Sequence, residues 1–540
     1  MCGIWLATCG VYKKEYFDSF MKLKHRGPDS TVFRIGNNTI YGFHRLAIND
    51  LTPDGEQPLM KEGVNLLCNG EIYNYGLLKI SYGKKILSGS DCEVLIDAYK
   101  HYTNTQVSIA AIEDFVSSID GEFAFMLHDT IENKYVIARD HIGVRPLFYG
   151  YSTEDDCYIF SSEAKGLLGI VDDIVEFLPG NFMIIDKNEH KKWLLKKYSP
   201  KTSLTGGDDR IDYNQKIDTL RSVITESVKK RLMSDRPIGF LLSGGLDSSI
   251  ICAIAASLQQ SINTFSIGVN KESPDLKAAR EVSEFIKSNH TEILYSIEDG
   301  IAAIESVIRH TESYDCTTVR ASVPMYKISE YIANNTNIRV LMSGEGADEV
   351  FGGYLYFRNA PTSKAFKEEC ERLVSNLYTF DIKRADRTTS SQGLELRVPF
   401  LDQSVLAAAN LFSDDELFNK NGIEKRVLRL AFKDYLPETI INRQKDAFSD
   451  AVGYEWVDNC KLLGKGIDNI HKYDYNTPLT SEENYYRGIF NNLIGDKHSH
   501  LIPEIWRIKW SGGVLDPSAR GLELHNAYDP SINSKIKNNI

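Results

Sequence analysis

The chain lacks any apolar run near the roughly 20 residues that a membrane-spanning helix needs. Its longest candidates, such as Ile250–Leu258, are far shorter and read as buried helix. No basic stretch followed by an apolar one opens it, only Met1-Cys2-Gly3-Ile4-Trp5, so a secretory leader is not expected. Nine cysteines are scattered with no Cys-x-x-Cys pair. That pattern disfavours a zinc ribbon or a disulfide framework and fits a reducing cytoplasm. An excess of positive charge is missing too: 62 Lys and Arg stand against 74 Asp and Glu, a formal net charge of −12. The balance argues against a nucleic-acid partner and an anionic membrane surface, and leaves room for a local basic pocket. There is no internal repeat.

What is present is a globular composition, 42% hydrophobic and 25% charged, over 540 residues. A single core stops growing at roughly 250–300 residues, so two domains or more are expected. The first part reads mainly as strands rich in aromatic and β-branched residues: Gly3–Val11, Thr39–Ile48, Val64–Tyr73, Glu122–Asp129, Lys134–Asp140 and Asn181–Asp186. Helices are expected at Glu15–Lys24, Asp91–Tyr102 and Ser108–Ser118. The polar stretch Ser199–Asp209 reads as a linker or long loop. Beyond it strand and helix alternate. Strands are expected at Ile238–Leu242, Asn263–Val269, His290–Tyr295 and Arg339–Met342, with helices at Ser248–Leu258, Leu276–Lys287 and Gly300–Arg309. Alternation implies a parallel sheet covered by helices, with ligands at the carboxyl ends of the strands. The expected division is 2–195, 210–515 and a polar tail over 516–540.

Cys2 follows the initiator Met, which is usually trimmed before a small residue. The freed α-amine, with an unperturbed pKa of about 7.7–8.0, would then lie beside its own thiol and serve as base to the attacking thiolate. Four further clusters follow in order: His25-Arg26-Gly27-Pro28-Asp29, His44-Arg45-Leu46-Ala47-Ile48, Asn69-Gly70-Glu71-Ile72-Tyr73-Asn74 and Gly89-Ser90-Asp91. Taken singly each has a bland reading: Asp91 as a helix N-cap, Asn69-Gly70 as a tight turn, Arg45 as a surface ion pair. Taken together they resemble the glutamine amidotransferase domain of the N-terminal-nucleophile type, an α+β fold of four αββα layers. The resemblance implies that Cys2 attacks the glutamine amide to give a thioester. Asn69 and the Gly70 N–H would hold the oxyanion. Arg45 would bind the substrate carboxylate, and Glu71 and Asp91 its α-amino group. The stretches Val11–His25 and Asn74–Asp91 are shorter than is usual in that family, and the Leu51–Glu56 turn is unusual.

Ser243-Gly244-Gly245-Leu246-Asp247-Ser248-Ser249 lies between an expected strand and helix. Its glycines admit close backbone approach to an anion, and the helix N-terminus adds N–H groups and dipole. Asp247 offers a hard oxygen for Mg²⁺. The Gly-Lys-Ser/Thr ending of a Walker A loop is absent; the segment resembles the pyrophosphate loop of the ATP-pyrophosphatase fold. Ser343-Gly344-Glu345-Gly346-Ala347-Asp348-Glu349 also follows a strand, and Asp348 could share the metal with Asp247.

Further segments extend the likeness over nearly the whole chain. They are Ser273–Ala279, Tyr314–Ser322, Val350–Tyr354, Glu395–Asp402 and Arg443-Gln444-Lys445. With them the chain resembles the glutamine-dependent asparagine synthetases. That likeness implies adenylation of aspartate by ATP with Mg²⁺, and ammonia from glutamine crossing an internal tunnel to displace AMP. Glu345 would take a proton from the ammonia, and Lys445 would stabilise phosphate charge. Thr317, Thr318 and Arg320 would form the aspartate pocket, and Leu241 and Ser266-Ile267-Gly268 would lie along the adenosine. A different carboxylate acceptor remains the alternative, and a homodimer is an expectation from family likeness alone.

Overall fold

The structure is a computed structural model that describes residues 1–83, 87–104, 106–188, 192–200, 211–420, 422–465, 472–514 and 516. The expected linker beyond residue 200 and the expected tail after Asp516 lie outside the described residues.

The first domain is two antiparallel six-stranded sheets. One runs Val175–Glu176, Phe148–Ser152, Cys157–Ser161, Gly3–Ala7, Ile40–Arg45, Ser30–Ile35. The other runs Lys192–Lys197, Asn181–Asp186, Lys134–Arg139, Gly121–Asp129, Val64–Ile72, Leu59–Lys61. Alternation along a strand sends successive side chains to opposite faces, and Gly3–Ala7 uses both. Ile4 and Leu6 meet Leu67, Ala124, Met126 and Ile137 of the other sheet, while Trp5 and Ala7 meet Tyr16 and Phe20 of the helix Lys14–Met21. The second sheet turns Leu66, Cys68, Phe123 and Phe125 outward onto the helices Val94–Tyr102 and Ile109–Ser117. Helix, sheet, sheet and helix are thus four layers, as the resemblance implies.

The second domain has a five-stranded, wholly parallel sheet in the order Asn289–Leu294, Asn263–Gly268, Ile238–Leu241, Val340–Met342, Glu395–Arg397. Phe240 pairs with Met342 and Leu241 with Phe265. The loops after these three strands therefore leave the sheet at one level, side by side.

The domains meet at the amino ends of these strands. Leu46 and Ile48 pack with Cys2 on Val340 and Ile238. Met1, Ile142 and Val144 join the second domain's core. Around them run buried ion pairs: Arg145 to Glu122 at 3.1 Å, Arg231 to Glu122 at 2.9 Å, and Arg397 to Glu71 at 3.3 Å. Arg26 reaches Asp386 at 2.9 Å and Glu163 at 2.7 Å.

The inter-sheet layer has a direct test. Leu6→Ala should cost about 2–5 kcal/mol, as truncation of a fully buried leucine does. A lowered first transition in scanning calorimetry is the expected result; an unchanged thermogram would contradict the packing.

Candidate active site

Cys2 is half-buried, with its Sγ 3.8 Å from the Leu46 carbonyl oxygen. Arg26 Nε donates to the Cys2 carbonyl at 3.1 Å. Met1 is buried, its amino nitrogen 3.8 Å from a Glu395 carboxylate oxygen. While Met1 is attached, the Cys2 nitrogen is an amide and has no lone pair to offer a proton. Burial pushes the Cys2 thiol up to about 11, against the pull of the amino terminus and the Leu46 contact.

Asn69 and Gly70 sit inside the strand Val64–Ile72, opposite Ala124 and Phe123, so the tight-turn reading is corrected. The Asn69 side chain is fully buried, and neither its oxygen nor its nitrogen has a partner among the described residues. Leaving a buried amide unpaired costs about 1–3 kcal/mol, which marks a group waiting for a ligand. At Gly70 a Cβ would fall 2.2 Å from the Glu122 carbonyl oxygen, so only glycine fits.

Glu71 and Asp91 are both buried, and Asn49 Nδ2 donates to each. Asp91 also accepts the Ile72 N–H at 2.7 Å. The cap of its turn is Ser90, so Asp91 is not the N-cap. Burial raises both carboxyls, and the neighbouring Asp91 adds to the rise at Glu71. An ammonium brought between them would favour their ionised forms. Arg45 is buried rather than at the surface. It donates through Nη1 to the Thr52 carbonyl at 2.6 Å and through Nη2 to that of Asp50. A Cβ at Gly55 would lie 2.2 Å from its Nη2, so the Leu51–Glu56 turn folds directly over this guanidinium.

The second site is a cleft at the carboxyl ends of the parallel strands. Leu241, Ser243, Gly245, Asp247, Ser248 and Ile267 line one side; Ser343, Gly344, Glu345 and Asp348 line another, with Thr317, Arg320 and Lys445. Gly244 has φ 72°, and a Cβ there would lie 2.4 Å from the Ala278 backbone, so the loop turns on it without facing the cleft. Ser249 is buried behind the loop and does not line the cleft. Nor does Thr318, whose N–H is spent on the Asp315 cap of the helix Cys316–Asn335 at 2.8 Å.

Two lysines organise the floor. Lys425 Nζ lies 2.7 and 2.6 Å from the two Asp247 oxygens and 2.7 Å from Asp348 Oδ1; Lys445 Nζ lies 2.7 Å from Asp348 Oδ2. Burial raises the Asp247 carboxyl. It opposes charge on Asp348 as well, but Lys425 and Lys445 hold that carboxyl well below the usual carboxylate range. Glu345 pairs with Arg384 at 2.7 Å, yet burial still raises its pKa, which suits a group that must accept a proton near neutrality. Arg320 is fully engaged: Glu482 accepts from its Nε at 2.8 Å and its Nη2 at 2.5 Å, and Asp516 from its Nη1 at 3.0 Å. Thr317 Oγ1 beside it is buried with no partner among the described residues.

Sequence reasoning missed Asn49, Lys425 and Arg384. Asn49 stands one residue past a recognised cluster. Lys425 and Arg384 carry no motif, and nothing in their neighbours announces a contact with residues 178 and 39 positions away.

An αββα domain with cysteine at position 2, joined to a parallel-sheet domain with two Gly-rich loops, defines a two-domain amidotransferase that uses ATP. A family model described as a glutamine amidotransferase domain matches residues 1–182, and one described as asparagine synthase matches 219–368 and 358–511. The chain is 40% identical to a probable glutamine-hydrolysing asparagine synthetase of Acanthamoeba polyphaga mimivirus, over 93% of this chain and 96% of that one. It is also 40% identical to the glutamine-hydrolysing asparagine synthetase of Bos taurus, over 98% and 99% of the two chains. With that of Asparagus officinalis the identity is 37%, over 99% and 95%. The chain belongs to the family of glutamine-hydrolysing asparagine synthetases.

The lysine clamp generates a prediction. Lys425→Met leaves two buried carboxylates short of a cation and should cost about 3–5 kcal/mol at neutral pH. Asp348 has a depressed pKa, so its stabilising contribution is present above the ordinary carboxylate value and fades as pH falls through the folded one. The deficit of the variant in thermal unfolding should therefore shrink on acidification; a deficit that grows would refute the assignment.

Proposed function

We propose that the chain makes L-asparagine from L-aspartate, using ATP and ammonia released from glutamine. The observation that carries this reading is the convergence of Asp247, Asp348, Lys425 and Lys445 at the carboxyl ends of adjacent parallel strands, with Glu345 beside them. Such a floor offers two ammonium groups to a polyphosphate and two carboxylates to the cation that accompanies it, and an adjacent base of raised pKa suits attack by an amine. In the first site, Cys2 is the nucleophile once Met1 has been removed, and its own amine is the base. Asn69 and the Gly70 N–H take the oxyanion. Glu71 and Asp91, steadied by the Asn49 amide, receive the α-amino group, and Arg45 the α-carboxylate.

In the second site, Ser243, Gly245 and Ser248, on the loop that turns at Gly244, face the phosphates, assisted by Ser343 and Gly344. Leu241 and Ile267 flank the adenosine. Thr317 and Arg320 hold aspartate, for which Asp516 must yield its contact. Magnesium fits this donor set as a nucleotide complex. Asp247 and Asp348 already share one cationic group, but among the described residues no cluster of three or more His, Cys, Asp or Glu is placed to hold an ion alone. Phosphate oxygens would complete its coordination, and the ion would supply charge neutralisation. Among the described residues no helix is long and apolar enough to cross a membrane, and the cytoplasm is the proposed location.

Product analysis and two variants test the reading. Glutamine, aspartate and Mg-ATP should yield asparagine, AMP and pyrophosphate; ADP and phosphate in their place would overturn it, and a panel of acceptor carboxylates would expose a different substrate. Cys2→Ala should abolish glutamine use and spare synthesis from ammonia. Asn69→Ala should lower glutaminase kcat by about 10²–10³, the effect of losing one oxyanion donor, again with ammonia-dependent synthesis intact. Equal loss of both activities would contradict separate sites.

A further inference from the structure

Away from both sites, two thiols face each other where the strand Gly3–Ala7 ends beside Cys157–Ser161. In the antiparallel pairing of Gly3–Ala7 with Cys157–Ser161, Ala7 stands opposite Ile159. The strand ends at Ala7, and Thr8 and Cys9 form a bend that runs on towards Cys157. The Thr8 N–H donates to the Tyr158 carbonyl at 2.9 Å and the Tyr158 N–H donates to Thr8 Oγ1 at 3.0 Å, so the two segments stay tied beside the thiols. The Cys157 thiol donates to Cys9 Sγ at 3.1 Å, and both are free thiols.

Their surroundings differ in the way a reactive dithiol requires. Cys9 is partly exposed, whereas Cys157 is buried. The hydrogen bond from Cys157 pulls Cys9 down to about 7, and the same contact pushes Cys157 up. Tyr16 Oη stands 4.0 Å from Cys157 Sγ and is itself fixed by donation to Asp155. An accessible thiolate with a buried resolving thiol behind it is the arrangement that exchange with disulfides favours. The other close pair, Cys68 and Cys92, is buried on both sides, so neither thiol offers a point of entry.

We propose that Cys9 and Cys157 form a redox-active dithiol, a reversible modification site that takes low-molecular-weight disulfides and closes into a disulfide. The Cys9 thiolate attacks one sulfur of the small disulfide, forming a mixed disulfide and expelling one thiolate. Cys157 then gives up its proton and attacks Cys9 Sγ, expelling the second thiolate. Two protein thiols are oxidised and one small disulfide is reduced to two thiols. The proton from Cys157 leaves with the departing thiolate. The site is independent of the amidotransferase reading, because it needs neither Cys2 nor a substrate.

Oxidised glutathione is the probe. The full-length protein is equilibrated in mixtures of reduced and oxidised glutathione, quenched in acid, alkylated with N-ethylmaleimide and digested without reduction. The expected result is a Cys9 peptide joined to a Cys157 peptide and an intact mass lower by two hydrogens, both reversed by excess reduced glutathione under native conditions. Cys157→Ser should instead accumulate glutathione on Cys9. Mapping the unmodified chain stands alone if that variant does not fold. The proposal is overturned if oxidised protein carries N-ethylmaleimide on both residues, if wild-type Cys9 retains glutathione, or if reduced glutathione cannot reopen the bond.

Discussion

The two active sites depend on a lattice of charges buried where the domains meet. Glu122 of the first domain accepts from Arg145 of its own domain and Arg231 of the second, and Arg231 passes on to Asp402 at 2.7 Å. Arg397 holds Glu395 at 2.9 Å, donates to the Arg231 carbonyl at 2.7 Å and reaches Glu71. Water is excluded from these groups, so no member can be lost cheaply: an orphaned partner in such a lattice costs about 3–5 kcal/mol. The lattice therefore permits one arrangement of the domains. It also ties the two sites together, since Glu71 of the first shares Arg397 with the second domain.

Much of this was legible in the residues, and the limits have physical causes. The strands Val64–Ile72, Gly121–Asp129 and Lys134–Arg139 are buried on both faces or nearly so, and their apolar runs announce them. Ser30–Ile35 escaped notice because it is an outer strand whose Arg34 and Ile35 lie exposed, with little pattern to read. Glu395–Arg397 escaped because three residues, two of them charged, do not look like the strand of a parallel sheet. Its charges are satisfied across the domain boundary, an environment no local window contains. The phosphate loop was legible because glycine positions state a backbone requirement directly. Lys425 was not, since a lysine's role depends on where a long side chain ends, and that is set by the packing of distant segments.

The two sites solve opposite electrostatic problems. The site around Cys2 gathers carboxylates that burial keeps reluctant to ionise, together with an amide that has no partner among the described residues; both conditions favour a guest that brings a cation and an oxyanion. The ATP site gathers lysines whose countercharges are internal. Asp247 and Asp348 keep Lys425 and Lys445 in place until a more highly charged anion competes for them. Each site is thus least comfortable in the way that its ligand relieves, the condition under which binding energy is spent on selectivity.

The parallel sheet has one further consequence. Cys2 packs against the amino ends of Ile238–Leu241 and Val340–Met342, and the phosphate loops leave from their carboxyl ends. These strands are only four and three residues long. At about 3.3 Å per residue they act as a spacer of roughly 10–13 Å between thiol and nucleotide loop. A pair of residues inserted into both strands would preserve which side chains face which layer, yet would move the two chemistries about 7 Å apart. Strand length here fixes how far the cysteine of one domain stands from the Gly-rich loops of the other, and its shortness is as much a part of the fold as the residues at either end.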